Sequence, residues 1–152
     1  MTPSIQLKAF DDLHPKELYD ILQLRSEVFV VEQQCIYLDA DGKDPASFHL
    51  LIYLDLQLVA CCRMLPPGLS YEGYCSIGRV ASSPTQRGKN FGRLLMEQAI
   101  TFCLNTFQAP IKISAQAYLE KFYRELGFET VSAPYLEDDI PHLAMVFKGR
   151  TD

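Results

Sequence analysis

The run from Ile77 to Gly92, IGRVASSPTQRGKNFG, sets Gly88 and Gly92 in a turn directly ahead of a helix-periodic stretch. That arrangement can hold an anion. The first N–H groups of a helix have no partner within it, and the macrodipole adds partial positive charge, so a phosphate placed there gains several hydrogen bonds. Glycine lets the phosphate approach the backbone. Taken alone, the two glycines are read more readily as only shaping a loop and a close helix–sheet contact. Neither the Walker pattern nor the dinucleotide fingerprint is present, because Gly88-Lys89 is followed by Asn90 and has no glycine at the required spacing before it.

Arg25 is the second feature. It falls among Ile21, Leu22, Val28 and Phe29, close to the apolar face of its helix, where an unpaired guanidinium is expensive. It therefore needs an acidic partner. Two readings stand: a structural ion pair with Glu27 or Glu32, or a clamp for a substrate carboxylate. The histidines His14, His49 and His142 and the five cysteines show no metal-ligand spacing, so no metal is expected. No G-x-S-x-G elbow points to a hydrolase.

These residues have to be positioned by a mixed set of elements. Ser4 to Phe10 alternates as a half-buried strand, and Pro15 opens an amphipathic helix that ends near Val31. Cys35 to Ala46 carries loop chemistry in Asp39, Asp41, Gly42, Asp44 and Pro45. Phe48 to Leu54 and Leu58 to Leu65 read as a hairpin, and Tyr74 to Ala81 as a further strand. A helix with Phe91, Leu94, Leu95, Ala99, Phe102 and Cys103 on one stripe follows, until Pro110 forbids continuation. Ile111 to Ala115 is a strand, Ala117 to Leu126 a helix capped by Gly127, and Phe128 to Val131 and Leu143 to Phe147 the last two strands. The order β-α-β-β-β-α-β-α-β-β is not a repeating parallel pattern.

A chain of 152 residues normally forms one domain, and 48% hydrophobic with 22% charged residues is an ordinary globular balance. A net charge of -5 without a basic cluster argues against nucleic acid as partner. No apolar run approaches the roughly 20 residues of a membrane span, and the first residues lack the blocks of a signal peptide. With five scattered cysteines and no CxxC spacing, a cytoplasmic location without membrane attachment is expected.

The glycine turn resembles the acetyl-CoA signature of the GNAT acyltransferase superfamily, Arg/Gln-x-x-Gly-x-Gly/Ala after a strand, with Arg87, Asn90 and Gly92 in those places. Asn90 replaces the first signature glycine. Asparagine tolerates left-handed backbone better than other non-glycine residues, so the departure is mild. The segment from Ile113 to Phe128, ISAQAYLEKFYRELGF, resembles the second hallmark, strand-AQ-helix-FYxxxGF. "LRSEVFVVEQ" and "EDDIPHLAM" are similar to the ElaA-like branch. The resemblance implies an α+β domain over residues 1–152, with a mixed, mostly antiparallel central sheet, helices on both faces, and the fourth and fifth strands splayed.

It also implies acetyl-CoA as acyl donor. Backbone amides of Arg87, Gly88, Lys89, Asn90, Phe91 and Gly92 would hold the pyrophosphate, and Val80, Ala81 and Gln116 would run along the pantetheine. Tyr123 matches the family's tyrosine that protonates the departing thiolate. A phenol stays protonated at neutral pH and can donate, although Phe122, Tyr123 and Leu126 also recur as core residues would. An ammonium must lose a proton before it attacks, and Glu32 and His142 are the candidate bases. The acceptor is expected to be a small-molecule or peptide amine, and exposed strand edges favour a homodimer. A non-catalytic acyl-CoA sensor that kept the turn is the alternative.

Overall fold

A computed structural model describes residues 2–149 of the chain. Four antiparallel strands form the first sheet in the order β1 (Ser4–Ala9), β2 (Phe48–Leu54), β3 (Gln57–Leu65), β4 (Ser76–Ser82). The second is built on β8 (Ile140–Phe147), with β5 (Lys112–Gln116) along one side and β6 (Phe128–Thr130) and β7 (Tyr135–Glu137) paired to its two halves on the other. β2 and β3 are apolar at nearly every position because both faces of the first sheet are covered. Leu50 and Ile52 pack with Leu95, Met96 and Ala99 of α2 (Phe91–Phe102), whereas Leu51, Cys61 and Ala81 pack with Ile21 and Leu24 of α1 (Pro15–Arg25). Each such fully buried Leu or Ile contributes roughly 1.5–3 kcal/mol.

Helices thus lie on both faces of a mixed, mostly antiparallel architecture, as expected. The differences lie at their ends. The first helix runs on to Glu32, but from Ser26 its turns widen into a π-helix, and α2 likewise continues as a π segment over Cys103–Phe107. A widened turn carries the same apolar stripe as an α turn over so few residues, so periodicity does not separate them. The third helical segment divides into a 3-10 turn (Ala117–Leu119) and α3 (Glu120–Glu125). Gly127 follows at φ +107°, where a Cβ would stand 2.8 Å from the backbone of Gly149, so this cap position accepts no side chain.

One strand is missing from the sequence reading. β7 and β8 form a hairpin through Asp138 and Asp139, both at positive φ, and β8 starts at Ile140 rather than Leu143. Pro141 masked this extension. It precedes the point where β5 joins β8, at Gln116 opposite His142, so no ladder hydrogen bond is demanded of it on that side.

Candidate active site

β4 and β5 touch at one end and part at the other. A parallel bridge joins Cys75 to Ile111, with the Cys75 amide donating to Pro110 O at 3.0 Å and the Lys112 amide donating to Cys75 O at 3.0 Å. Beyond it, the two strands flank a cavity of about 590 Å³ lined by Gly78 to Ser82 on one side and Ile113, Ser114 and Gln116 on the other. β4 is bulged there. Cys61 opposes Ala81 while Arg63 opposes Gly78, so β4 spends one residue more than β3, and Arg79 takes φ +50°. A bulge leaves its extra residue outside the ladder, which turns main-chain groups of Arg79 and Val80 toward other uses.

After the C-terminal end of β4, the glycine turn takes left-handed backbone at two positions. Gly88 lies at φ +85° and Asn90 at φ +63°, ψ +21°, the left-handed conformation for which asparagine substitutes for glycine. Asn90 is the N-cap of α2, yet no side chain caps the first turn, which leaves its backbone donors open. A second cavity, about 220 Å³, lies against Arg87, Gly88, Asn90, Phe91 and Gly92. Ser82, Arg87, Gly92 and Phe122 line both cavities, so the two are contiguous. A Cβ on Gly92 would meet only Phe122, at 3.9 Å, so glycine here keeps space open and does not relieve a clash. Lys89 lines neither cavity; its ammonium donates to Gln86 Oε1 at 2.7 Å.

Tyr123 reaches the larger cavity from α3 and is 7% exposed. Its ring meets Phe122 and Phe128 edge-on, at centroid distances of 5.1 and 6.0 Å. Burial pushes the hydroxyl well above the usual phenol range, so it stays protonated and remains available as a donor.

His142 lies on β8 opposite Gln116 and also lines the cavity. Its Nδ1 is 2.7 Å from Ile140 O; a carbonyl only accepts, so Nδ1 carries the hydrogen and Nε2 is left as the basic nitrogen. Nε2 faces Glu137 Oε2 at 3.5 Å, and the Tyr135 ring stacks on the imidazole. Ser114 Oγ donates to Glu137 Oε1 at 3.1 Å and bonds the Tyr135 hydroxyl. Glu137 and Tyr135 escaped sequence reading because β7 did. The signal was present in the Asp138-Asp139 pair, which suits a two-residue hairpin turn with both φ positive.

Glu32 ends the π segment, and its carboxylate takes both Nη groups of Arg87, with Nη2 to Oε1 at 2.7 Å. The Arg87 hydrogen bond holds this carboxyl below the usual range, which makes it a weak base in this arrangement. Next to it, Gln33 and Gln116 exchange amide hydrogen bonds at 3.3 Å.

Arg25 requires a correction. It is 1% exposed and is absent from the cavity lining. Its partners are neither Glu27 nor Glu32: Nε donates to Asp39 Oδ2 at 2.8 Å and Nη1 to Asp44 Oδ1 at 2.7 Å. Arg63 bonds Asp41 and Asp44, and Arg79 bonds Asp39 at 2.8 Å, so three arginines and three aspartates tie the segment after the first helix to β3 and β4. A guanidinium so enclosed has no room for a substrate carboxylate.

Comparison with known proteins identifies the family and the fold. The family profile described as acetyltransferase (GNAT) domain matches residues 15–148. Protein ElaA of Escherichia coli is 40% identical over 144 residues, covering 90% of this chain and 94% of that protein. The crystal structure of Escherichia coli ElaA superposes with a TM-score of 0.90 at 36% identity, covering 97% of this chain and all 100% of that one. An acyl-CoA N-acyltransferase from Pseudomonas aeruginosa does so with a TM-score of 0.90 at 44% identity, covering 96% of this chain and 99% of that one. With a matching profile across most of its length and relatives at this identity, the chain belongs to the GNAT acetyltransferase family, on its ElaA-like branch.

Proposed function

We propose that this chain is an N-acetyltransferase that moves an acetyl group from acetyl-CoA to a primary amine by direct attack in a ternary complex. The observation that carries the reading is the continuity of the two cavities. They lead from an uncapped helix start, suited to a pyrophosphate, past the bulged edge of β4 to Tyr123 and His142. Amides from Arg87 to Gly92 bind the diphosphate, and Val80, Ala81 and Gln116 line the pantetheine path. A main-chain donor at the β4 bulge polarises the thioester carbonyl, where a fixed dipole stabilises developing charge without reorganising.

His142 Nε2 accepts the proton that the ammonium must lose, while its Nδ1–H stays on Ile140 O and holds the ring in one tautomer. Glu137 stands beside the imidazolium that forms, and offsets its charge. The amine nitrogen bonds to the acetyl carbon, the carbon–sulfur bond breaks, the Tyr123 hydroxyl gives its proton to the departing thiolate, and the second proton lost by the new amide nitrogen restores the phenol. The acceptor end of the cavity carries Glu32, Glu137 and Asp138, which favours a cationic small-molecule or peptide amine. One domain over residues 1–152, acting in the cytoplasm and paired as a homodimer, completes the proposal.

The test is a panel of amines, from polyamines and amino acids to peptide N-termini and lysines, scored for free thiol. Specific acetyl-CoA binding raises the melting temperature, since a ligand at about 100 times its Kd adds roughly 2.7 kcal/mol to the native state. Stabilisation without thiol release by any amine supports the sensor alternative; no stabilisation contradicts both.

A further inference from the structure

The two side chains at the end of the first helix bond to both walls of the opening between β4 and β5. Glu32 takes the guanidinium of Arg87, which follows β4, and Gln33 pairs with Gln116, the last residue of β5. Arg87 stands at the junction, lining both cavities, whereas Glu32 lines only the larger one, on the acceptor side. The guanidinium fork engages a carboxylate with both Nη groups, and the same fork fits two phosphate oxygens equally well.

We propose that Glu32 occupies, in the free protein, the place on Arg87 that a coenzyme phosphate takes, so that donor binding displaces Glu32 into the acceptor cavity. The proposal rests on the acyltransferase reading above. Its energetics allow exchange. The Arg87 and Glu32 side chains are 42% and 36% exposed, and an ion pair so open to water is worth little, so a diphosphate that also gains backbone amides outcompetes it. The carboxylate freed from Arg87 is then available to an incoming ammonium, which makes the acceptor side fully anionic only once the donor is seated. Neither step requires a rearrangement of the buried core.

Isothermal titration with free coenzyme A tests this on wild type, Glu32→Gln, Glu32→Ala, Arg87→Gln and the double variant Arg87→Gln/Glu32→Gln. Removing the internal competitor tightens coenzyme A binding about two- to fivefold in Glu32→Gln and Glu32→Ala, the range expected for one exposed pair. In the Arg87→Gln background, the same Glu32 change has no effect. Equal or weaker binding by both Glu32 variants overturns the inference, and so does a gain that persists without Arg87, which marks plain charge repulsion. In those cases wild type still binds coenzyme A and the acyltransferase reading stands. Wild type that binds no coenzyme A overturns both.

Discussion

Arg25 and Arg87 each hold a carboxylate with two or more N–H groups, yet they belong to different kinds of structure. Arg25 is enclosed by Asp39 and Asp44 beneath β3 and β4, where it is 1% exposed, whereas Arg87 meets Glu32 in open water at the mouth of a cavity. Burial decides what each pair can do. Two charges taken out of water cannot part without leaving one unpaired in a poor solvent, so the inner pair is permanent. The outer pair parts cheaply, and a ligand can replace either member. The inner network fixes the loop that carries Cys35 and Tyr37 to the cavity wall, and the outer pair is left free to exchange.

The contrast gives a graded set of expectations. Arg25→Ala leaves Asp39 with Arg79 and Asp44 with Arg63 as their remaining arginine partners, and lowers unfolding free energy by roughly 3 kcal/mol in chemical denaturation. A loss below about 1 kcal/mol would erase the distinction between the two arginines. Arg79→Ala, at a half-buried position bonded to Asp39, costs an intermediate roughly 1.5–3 kcal/mol by the same assay.

Acid sharpens the comparison. Hydrogen bonding from Arg63 holds the Asp41 carboxyl well below its usual range; burial raises that of Asp44, but the hydrogen bonds and charges of Arg25 and Arg63 together outweigh it and the net shift is downward. A carboxylate depressed in the folded state binds fewer protons than in the unfolded chain. Its stabilisation is therefore present above the unfolded value near about 3.9 and is lost as pH falls toward the folded one. Between about pH 5 and pH 3 stability drops by roughly 1–2 kcal/mol, and Asp41→Asn flattens that slope. Glu32→Gln is the smallest case. It changes unfolding free energy by less than about 1 kcal/mol and flattens the acid slope less than Asp41→Asn does, because the Arg87 pair that lowers the Glu32 carboxyl is exposed.

The same contrast explains what could be read from residue order. The proposed donor side is contiguous in the chain: Arg87, Gly88, Asn90 and the start of α2 fall within a few residues, and left-handed Asn90 is compatible with local sterics. Tyr123 came with its own short helix. The buried arginine network and the proposed acceptor side are assembled from afar. Arg25 finds its partners 14 and 19 residues on, in a loop whose aspartates looked like turn residues, and no local pattern says which acid a buried arginine will choose. Glu137 depends on a three-residue strand that Pro141 hid, and Glu32 on a π turn that brings it within reach of a residue 55 positions away. Pairings of that range are fixed by the packing of sheets and helices, which periodicity does not encode.

The central claim is acyl transfer with Tyr123 as the proton donor. It is tested most directly by following thiol release and the N-acetylated product from acetyl-CoA with the best amine of the panel, for wild type and Tyr123→Phe, beside calorimetric binding of coenzyme A. The account predicts matched yields of thiol and acetylated amine from wild type, a kcat lowered about a hundredfold or more in Tyr123→Phe, and coenzyme A binding within about threefold of wild type. Equal turnover by the two proteins, or acetyl-CoA bound by wild type with no amine acetylated, would contradict it.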